Sequence, residues 1–490
     1  MRRNLLFYFT LLSIFGVGIY FLLDVGARLK PVAPVADRTI ESSSASAATR
    51  QPDRPAAASS SVRALAENLR HPLSILLLQV VVILLATRLF GILFLKMRQP
   101  SVIGEMVAGI VLGPSLLGML FPAAESFLFP TASLDFLKLL SQLGVILFMF
   151  IVGLELNMQH LRQKADAALL VSHASIIVPF FLGITLSLFI YSSMAPPAIS
   201  FNAFALFIGV AMSITAFPVL ARIVEERGLH QTYLGSTAIA CAAVDDVTAW
   251  CILAIVVAIV KANGLGGAAL TISLALLFIG AMLFVIKPQA ERLVGRRLGN
   301  TVAGKTPLAL ALVFMFTSAT FTEVIGIHAL FGAFLTGVCL PAHAGLRSYL
   351  RERLEPFSSV FLMPLFFAYT GLRTQIGLLD DWQSWLICLA VIAVAILGKL
   401  GGSMLAARWT RMGWNDAFSL GALMNTRGLM ELIVLNLGYD LGILTPKVFA
   451  MMVIMALTTT FMTGPLLSLA GLQSRRKKRS LAAEAVRAVA

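Results

Sequence analysis

Residues 234–260 read LGSTAIACAAVDDVTAWCILAIVVAIV, an apolar run with two adjacent carboxylates, Asp245 and Asp246, near its middle. As a helix rising about 1.5 Å per residue, the run is long enough to cross a hydrocarbon core about 30 Å thick. The fold therefore turns on whether the rest of the chain repeats this pattern. Of its 490 residues, 58% are hydrophobic and 13% charged, against about 25% charged in soluble domains. Mean hydropathy is +0.89. These values exclude a soluble globular protein and predict an all-α polytopic membrane protein.

Working outward from residue 246, further apolar runs occupy approximately residues 72–95, 101–121, 136–156, 167–192, 201–225, 267–286, 305–321, 324–341, 356–373, 383–407, 415–439 and 445–471. With 234–260 they make a core of about thirteen spans. Ahead of them, residues 1–29 open with MRRN and continue as LLFYFTLLSIFGVGIYFLL, an N-terminal hydrophobic anchor or signal. The segment exceeds the usual 7–15-residue signal h-region and no small-residue cleavage site follows, which favours an uncleaved anchor. Residues 30–70, rich in Ala, Ser and Pro, read as a flexible linker outside the membrane. The transmembrane domain is expected over 71–472, and a basic cytoplasmic tail, containing SRRKKRS, over 473–490.

The formal net charge is +14. Its basic residues fall mainly in short loops, where they set orientation in a bilayer, so no nucleic-acid partner is expected. With residues 24–71 outside, the inner loops include LKMRQP, HLRQKAD, RIVEERGLHQ and HAGLRSYLRERLEP, whereas the outer loops ANGLGG and GLLDDWQS carry no Lys or Arg. This is the pattern of a multi-pass protein of a bacterial inner membrane. No sizeable soluble domain fits among the loops. An odd number of spans, split six and six around a seventh, gives inverted repeats, a frequent plan of secondary transporters.

A charged side chain at mid-bilayer is costly and commonly marks an ion path or proton relay. Asp245 and Asp246 are such residues, and Lys399 in LICLAVIAVAILGKLGGSMLAA is the basic partner at comparable depth. Adjacent helical residues point about 100° apart. One aspartate can therefore face Lys399 while the other faces a wet cavity, leaving one negative charge for a cation or a proton. Carboxylate oxygens are hard ligands that also accept a proton.

Two spans carry helix breakers. FALFIGVAMSITAFPVLARIV places Ser213, Thr215 and Pro218 near mid-span, and SLGALMNTRGLMELIVLNLG places Asn425, Thr426, Arg427 and Gly428 there. They are the fifth and twelfth core spans, which correspond under the inverted repeat, and paired interruptions of this kind point to an ion site. Arg427 and Glu431, at i,i+4, are expected to form a structural ion pair. Glu105, Glu155, Glu323, His173 and His328 are weaker signals. Gly109 and Gly113 read as helix packing. The cysteines Cys241, Cys251, Cys339 and Cys388 lie in apolar runs with no ligand spacing. No disulfide, no cofactor and no metal beyond a transported cation are expected.

The phrases QPSVIGEMVAGIVLGPSLLG, LGVILFMFIVGLELN, SITAFPVLARIVEE, AAVDDVTAW, HALFGAFLTGVCLP, MPLFFAYTGLRTQI and MNTRGLMELIVLNLGYDLGIL, in this order, resemble the monovalent cation:proton antiporters of the second branch. That group holds bacterial sodium/proton antiporters, Kef-type potassium systems and plant cation/proton exchangers. The resemblance implies a thirteen-helix core with two crossed, broken helices. It also implies a homodimer in which a dimerisation domain and a mobile ion-carrying domain move against each other. It assigns Asp246 as the carrier, Asp245 as the partner of Lys399, and Thr215 and Asn425 to the unwound segments. The aspartate pair with lysine resembles the electrogenic sodium exchangers, whereas NTRGLMELIVLNLG resembles the plant-type exchangers, many linked to potassium.

The expected function is exchange of a monovalent cation for H⁺, sodium favoured and potassium the alternative, with Asp246 holding one or the other. A cation channel would call for a repeated filter loop, and an intramembrane enzyme for a nucleophile–base pair or a metal motif such as H-E-x-x-H; the sequence carries neither.

Overall fold

The computed structural model describes residues 2–30, 71–97, 99–155, 165–229, 232–261, 265–297, 305–341 and 345–470. Residues 31–70 of the expected linker and all of the expected basic tail lie outside the described residues. Among the described residues the chain is helical, with no strand. The principal helices are α1 (Arg2–Gly26), α2 (Pro72–Lys96), α3 (Ser101–Leu112), α4 (Thr131–Glu155), α5 (Ala165–Met194), α6 (Phe201–Ser213), α7 (Phe217–Glu226), α8 (Tyr233–Lys261), α9 (Leu265–Gly280), α10 (Lys305–Ile325) and α11 (Ala329–Cys339). They continue with α12 (Leu346–Phe357), α13 (Met363–Arg373), α14 (Trp382–Ile396), α15 (Gly402–Trp409), α16 (Trp414–Met424), α17 (Leu429–Asp440) and α18 (Pro446–Leu469). Between α14 and α15 runs one π-helical turn, Leu397–Gly401.

Among the described residues, eleven helical spans are long and apolar enough to cross a bilayer, and the bent pair α16–α17 makes a twelfth. One of these is the N-terminal helix, so the core has fewer full-length spans than the thirteen runs suggested. The run that falls short in length is α11, with 11 residues, whereas the expected run 356–373 is helical throughout as the end of α12, a π turn and α13. At α11 the turn through Gly326 and His328, both with positive φ, takes up the start of the expected run. Ahead of α13, a π turn at Ser358–Leu362 joins it to α12, whose Arg347, Arg351, Glu352, Arg353 and Glu355 make it amphipathic. The chain is a multi-pass integral membrane protein.

The helices sort into two bundles. In the first, α3 packs on α2 and α13, while α4 packs on α11 and α13, and α11 on α10. In the second, α5 packs on α6, α8, α14 and α15, α16 on α15, and α18 on α14 and α17. Helix α9 touches α8 on one side and α10 on the other, and so links the bundles. Their backbones meet closely at few places, among them α13 against α17 and α3 against α18. Helix α1 lies on α5 of the second bundle. There Phe7 stacks on Trp409 at 4.4 Å between ring centroids, and Tyr8 meets His173 edge-on at 5.2 Å.

Close backbone approach within the first bundle rests on small residues. A Cβ on Gly371 of α13 would lie 2.4 Å from the Gly109 carbonyl carbon of α3. Neither backbone can yield without moving its helix, so Gly371→Ala is expected to cost about 1–3 kcal/mol, as overpacking does. Thermal unfolding of the purified variant checks this, and an unchanged midpoint would contradict it.

At the opposite end of α14 from the π turn, Asp381 is the N-cap. It accepts from the Ser384 amide at 3.1 Å and from the Ser384 hydroxyl, and Lys447 in the first turn of α18 donates to it at 3.0 Å. The Ser384 hydroxyl first, then Lys447, hold this carboxyl at about 2, below the ordinary value of about 3.9. The folded-state value is the lower one. The contact therefore stabilises fully above the ordinary carboxylate range and fades as pH falls toward 2. Asp381→Asn should be less heat-stable than the wild type at neutral pH, with the difference shrinking through that acid window.

Candidate functional site

The second bundle is built around two interrupted spans. Helix α6 ends at Ser213, residues 214–216 are not helical, and α7 begins at Phe217 with Pro218 in its first turn. A proline there lacks only a donor that the first turn would leave unpaired. Helix α16 ends at Met424, and α17 begins after Gly428 at φ 148°, a conformation that side chains other than glycine rarely adopt. The two interruptions lie against each other. The Ala216 amide donates to the Thr426 carbonyl at 3.0 Å, and the Thr215 hydroxyl reaches the Met424 carbonyl at 3.4 Å.

A broken helix leaves carbonyls without partners, and two basic side chains satisfy those of α6. Arg427 donates to the Ala211 carbonyl at 3.0 Å and the Met212 carbonyl at 2.6 Å, while also pairing with Glu431 at 2.6 Å. Lys399 donates to the Ser213 carbonyl and, at 3.0 Å, to the Ser175 carbonyl. Thr460 of α18 accepts from the Arg427 amide at 3.0 Å and donates to its carbonyl at 2.8 Å, and Thr426 lies 3.3 Å from Thr463. The Ser213 hydroxyl donates to the Gly209 and Ile176 carbonyls.

Asp245 and Asp246 sit in α8 beside this crossing, with opposite surroundings. Asp245 is fully enclosed and receives Ser172 at 2.5 Å, Ser175 at 2.9 Å, Thr215 at 2.6 Å and the Lys399 ammonium at 2.9 Å. Its charge is matched and its oxygens are satisfied. Asp246 is 2% exposed, and among the described residues neither carboxylate oxygen has a hydrogen-bond partner. Both polar atoms of the Asn425 side chain, fully buried at the end of α16, also lack partners. Buried polar atoms without partners are rare in native proteins, and an isolated carboxylate in such a place must be neutralised by a proton or a cation.

A cavity of about 630 Å³ lies between the two bundles. Its outer rim carries Glu155, Glu225, Arg351 and Glu355, on or next to segments assigned to the inner face by their basic residues. It runs inward past Glu105 to Phe217, Pro218, Val219 and Leu429, at the starts of α7 and α17. Asp246 is not on its wall. Phe217 is, and its backbone lies beside the Asp246 carboxylate without closing to a hydrogen bond. The expectation that one aspartate would face the lysine and the other open water therefore needs an amendment: Asp246 is enclosed just beyond the cavity's end.

Of the remaining residues singled out in the sequence, Glu155 sits 3.6 Å from Arg351 at the cavity rim. Glu323 accepts from the Ala329 amide at 2.8 Å, and the His173 ring bonds its own helix at the Leu169 carbonyl at 2.8 Å. Sequence reasoning missed Ser172 and Ser175. Their signal was present: two hydroxyls at i,i+3 in an apolar span lie on one helix face. It also gave Arg427 a single partner, where the structure uses the same guanidinium to cap α6.

The family described as the transmembrane sodium/hydrogen exchanger matches residues 80–470. The chain is 46% identical over 398 residues to the Na⁺/H⁺ antiporter NhaS4 of Synechocystis sp., covering 81% of this chain and 97% of that protein. It is 42% identical to cation/H⁺ antiporter 17 of Arabidopsis thaliana over 81% of this chain and 48% of that one. With K⁺/H⁺ antiporter 1 of Saccharomyces cerevisiae the identity is 35%, over 82% of this chain and 47% of that one. The chain thus spans about half the length of these plant and yeast relatives. The solved structure of the sodium proton antiporter MjNhaP1 from Methanocaldococcus jannaschii aligns with a TM-score of 0.62 at 13% identity, covering 82% of this chain and 98% of that one.

Proposed function

The chain belongs to the transmembrane sodium/hydrogen exchanger family, and on that premise we propose that it exchanges a monovalent cation, sodium favoured, for a proton, with Asp246 as the shared carrier. The observation that carries this reading is the contrast within one helix turn. Asp245 is neutralised by Lys399 and three hydroxyls, while Asp246 is buried with no hydrogen-bond partner among the described residues. A site of that kind holds H⁺ or a cation, and not both, because two positive charges on one enclosed carboxylate repel at short range.

A cation arriving through the inner cavity displaces the proton from Asp246. As it binds it loosens the Asp245–Lys399 pair, which re-forms when the cation leaves. The crossed half-helices supply carbonyls and helix ends toward the ion. Movement of the second bundle against the first then exposes the same residue to the other face, and an outside proton returns it. The fold supports a rigid-body step, since the bundles share few close helix contacts. We place the protein in a bacterial inner membrane as a homodimer, and read it as a transporter and not as an enzyme.

The names of two relatives, one a Na⁺/H⁺ and one a K⁺/H⁺ antiporter, make potassium the second reading. Flux into proteoliposomes under an imposed pH gradient separates them. Sodium-dependent dissipation of the gradient, with little from potassium, is expected. A gradient stable to sodium, lithium and potassium alike would reject exchange, and single-channel currents would favour a channel.

A further inference from the structure

At the end of the molecule opposite the cavity, four side chains join the two bundles. Arg373 closes α13 of the first bundle, Lys138 lies in the second turn of α4, and Asn436 and Asp440 lie near the end of α17 of the second bundle. Arg373 donates to Asp440 at 2.5 Å and to Asn436 at 3.0 Å, and the Lys138 ammonium is 3.2 Å from the same Asp440 oxygen. The Arg373 guanidinium also lies 4.8 Å from the Tyr369 ring centroid and 4.6 Å from that of Tyr439, one ring from each bundle. Asn436 in turn donates to the Thr370 hydroxyl of α13 at 2.8 Å. The side chains of Arg373 and Asp440 are 16% and 22% exposed, so the pair is partly shielded from water.

Three features give this cluster more than a surface pair's significance. Every contact named except the Tyr369 ring crosses from one bundle to the other. Beneath them lies a small void of about 40 Å³, lined among others by Ile433, Asn436, Leu437 and Asp440 on one face of α17. And α17 has 12 residues, with Asp440 at its last position and the Gly428 interruption just before its first. A displacement of Asp440 is therefore carried along one short helix to the crossing that surrounds the ion site.

We propose that Arg373, Lys138, Asn436 and Asp440 form the outer gate of the transporter, a charged clasp that closes the outer path while the inner cavity is open. The clasp rests on the alternating-access reading given above. It must release for Asp246 to meet outer water, and it re-forms when the inner cavity opens again. Partly shielded charge pairs suit this work, because water can replace their hydrogen bonds when the bundles part.

The test reads water access below the clasp. Ile433→Cys, in a background with the four native cysteines replaced by alanine, is labelled by a membrane-impermeant maleimide applied from outside. Leu437→Cys serves as a second reporter. Arg373→Gln and Asp440→Asn are each expected to speed labelling about tenfold, the effect of on the order of 1.4 kcal/mol. Arg373→Lys, which keeps the charge, should stay near the starting rate. Equal labelling in all four proteins would overturn the clasp, as would equal acceleration by Gln and Lys, which would reduce Arg373 to packing. The readout is independent of exchange. Failure of the starting protein to dissipate a pH gradient would sink the antiport reading and leave a labelling difference standing. Unchanged labelling with intact exchange would sink the clasp alone.

Discussion

Asp246→Asn should abolish cation–proton exchange while leaving the protein folded. Asparagine keeps the size of the side chain and one of its oxygens, but it neither takes up a proton nor carries charge to match a cation. Loss of even ~3 kcal/mol of carboxylate–cation attraction lowers occupancy by roughly 100-fold, and without a proton site no coupled return step remains. Stability should hold or rise, because the substitution removes a buried carboxylate that accepts no hydrogen bond among the described residues. The two measurements are flux in proteoliposomes and the thermal midpoint in detergent. Exchange at the wild-type rate would reject the carrier role, and a collapsed midpoint would show that Asp246 instead supports the fold.

Lys399→Ala is expected to have the largest effect on stability. Its ammonium meets Asp245 and the Ser213 and Ser175 carbonyls. Removing it leaves a fully buried carboxylate with hydroxyl donors only, and the last carbonyl of α6 without its cap. Breaking one partner of a buried pair costs about 3–5 kcal/mol. The double variant Lys399→Ala with Asp245→Asn should recover part of that loss, because the stranded charge is gone. The number of charges moved per cycle should also change in the single variant, measured as the voltage dependence of flux. If neither the midpoint nor that dependence moves, the pair has no structural or coupling role.

How far these residues could be read without coordinates follows from their energetics. A charge in an apolar run is conspicuous because lipid makes it costly, so Asp245, Asp246, Lys399 and Arg427 stand out by composition alone. The interruptions at Thr215 and Asn425 show through the Pro and Asn–Thr–Arg–Gly chemistry around them. Ser172 and Ser175 did not stand out: a serine in a membrane helix can bond its own preceding turn, as Ser187 does, so its presence carries little information until its neighbour is known. The short α11 was read as a full span because hydropathy counts apolar residues and is blind to where a turn begins. The outer clasp was invisible for a related reason. Arg373, Asp440 and Lys138 lie at helix ends, where charge is ordinary, and only the meeting of two bundles makes them partners.

The π-helical turn at Leu397–Gly401 bears on Lys399 in a further way. A π turn accommodates one residue more than an α turn in nearly the same rise. The helix before it and the helix after it are thus out of phase by about 100° compared with an uninterrupted α-helix. Shortening the loop of backbone by a single residue there, for instance by deleting Gly398, would let α14 and α15 fuse into one regular cylinder and swing the ammonium off its aspartate. Every ionisable group would still be present in the chain, so the aim of this lysine depends on how many residues the winding holds as well as on which residues they are.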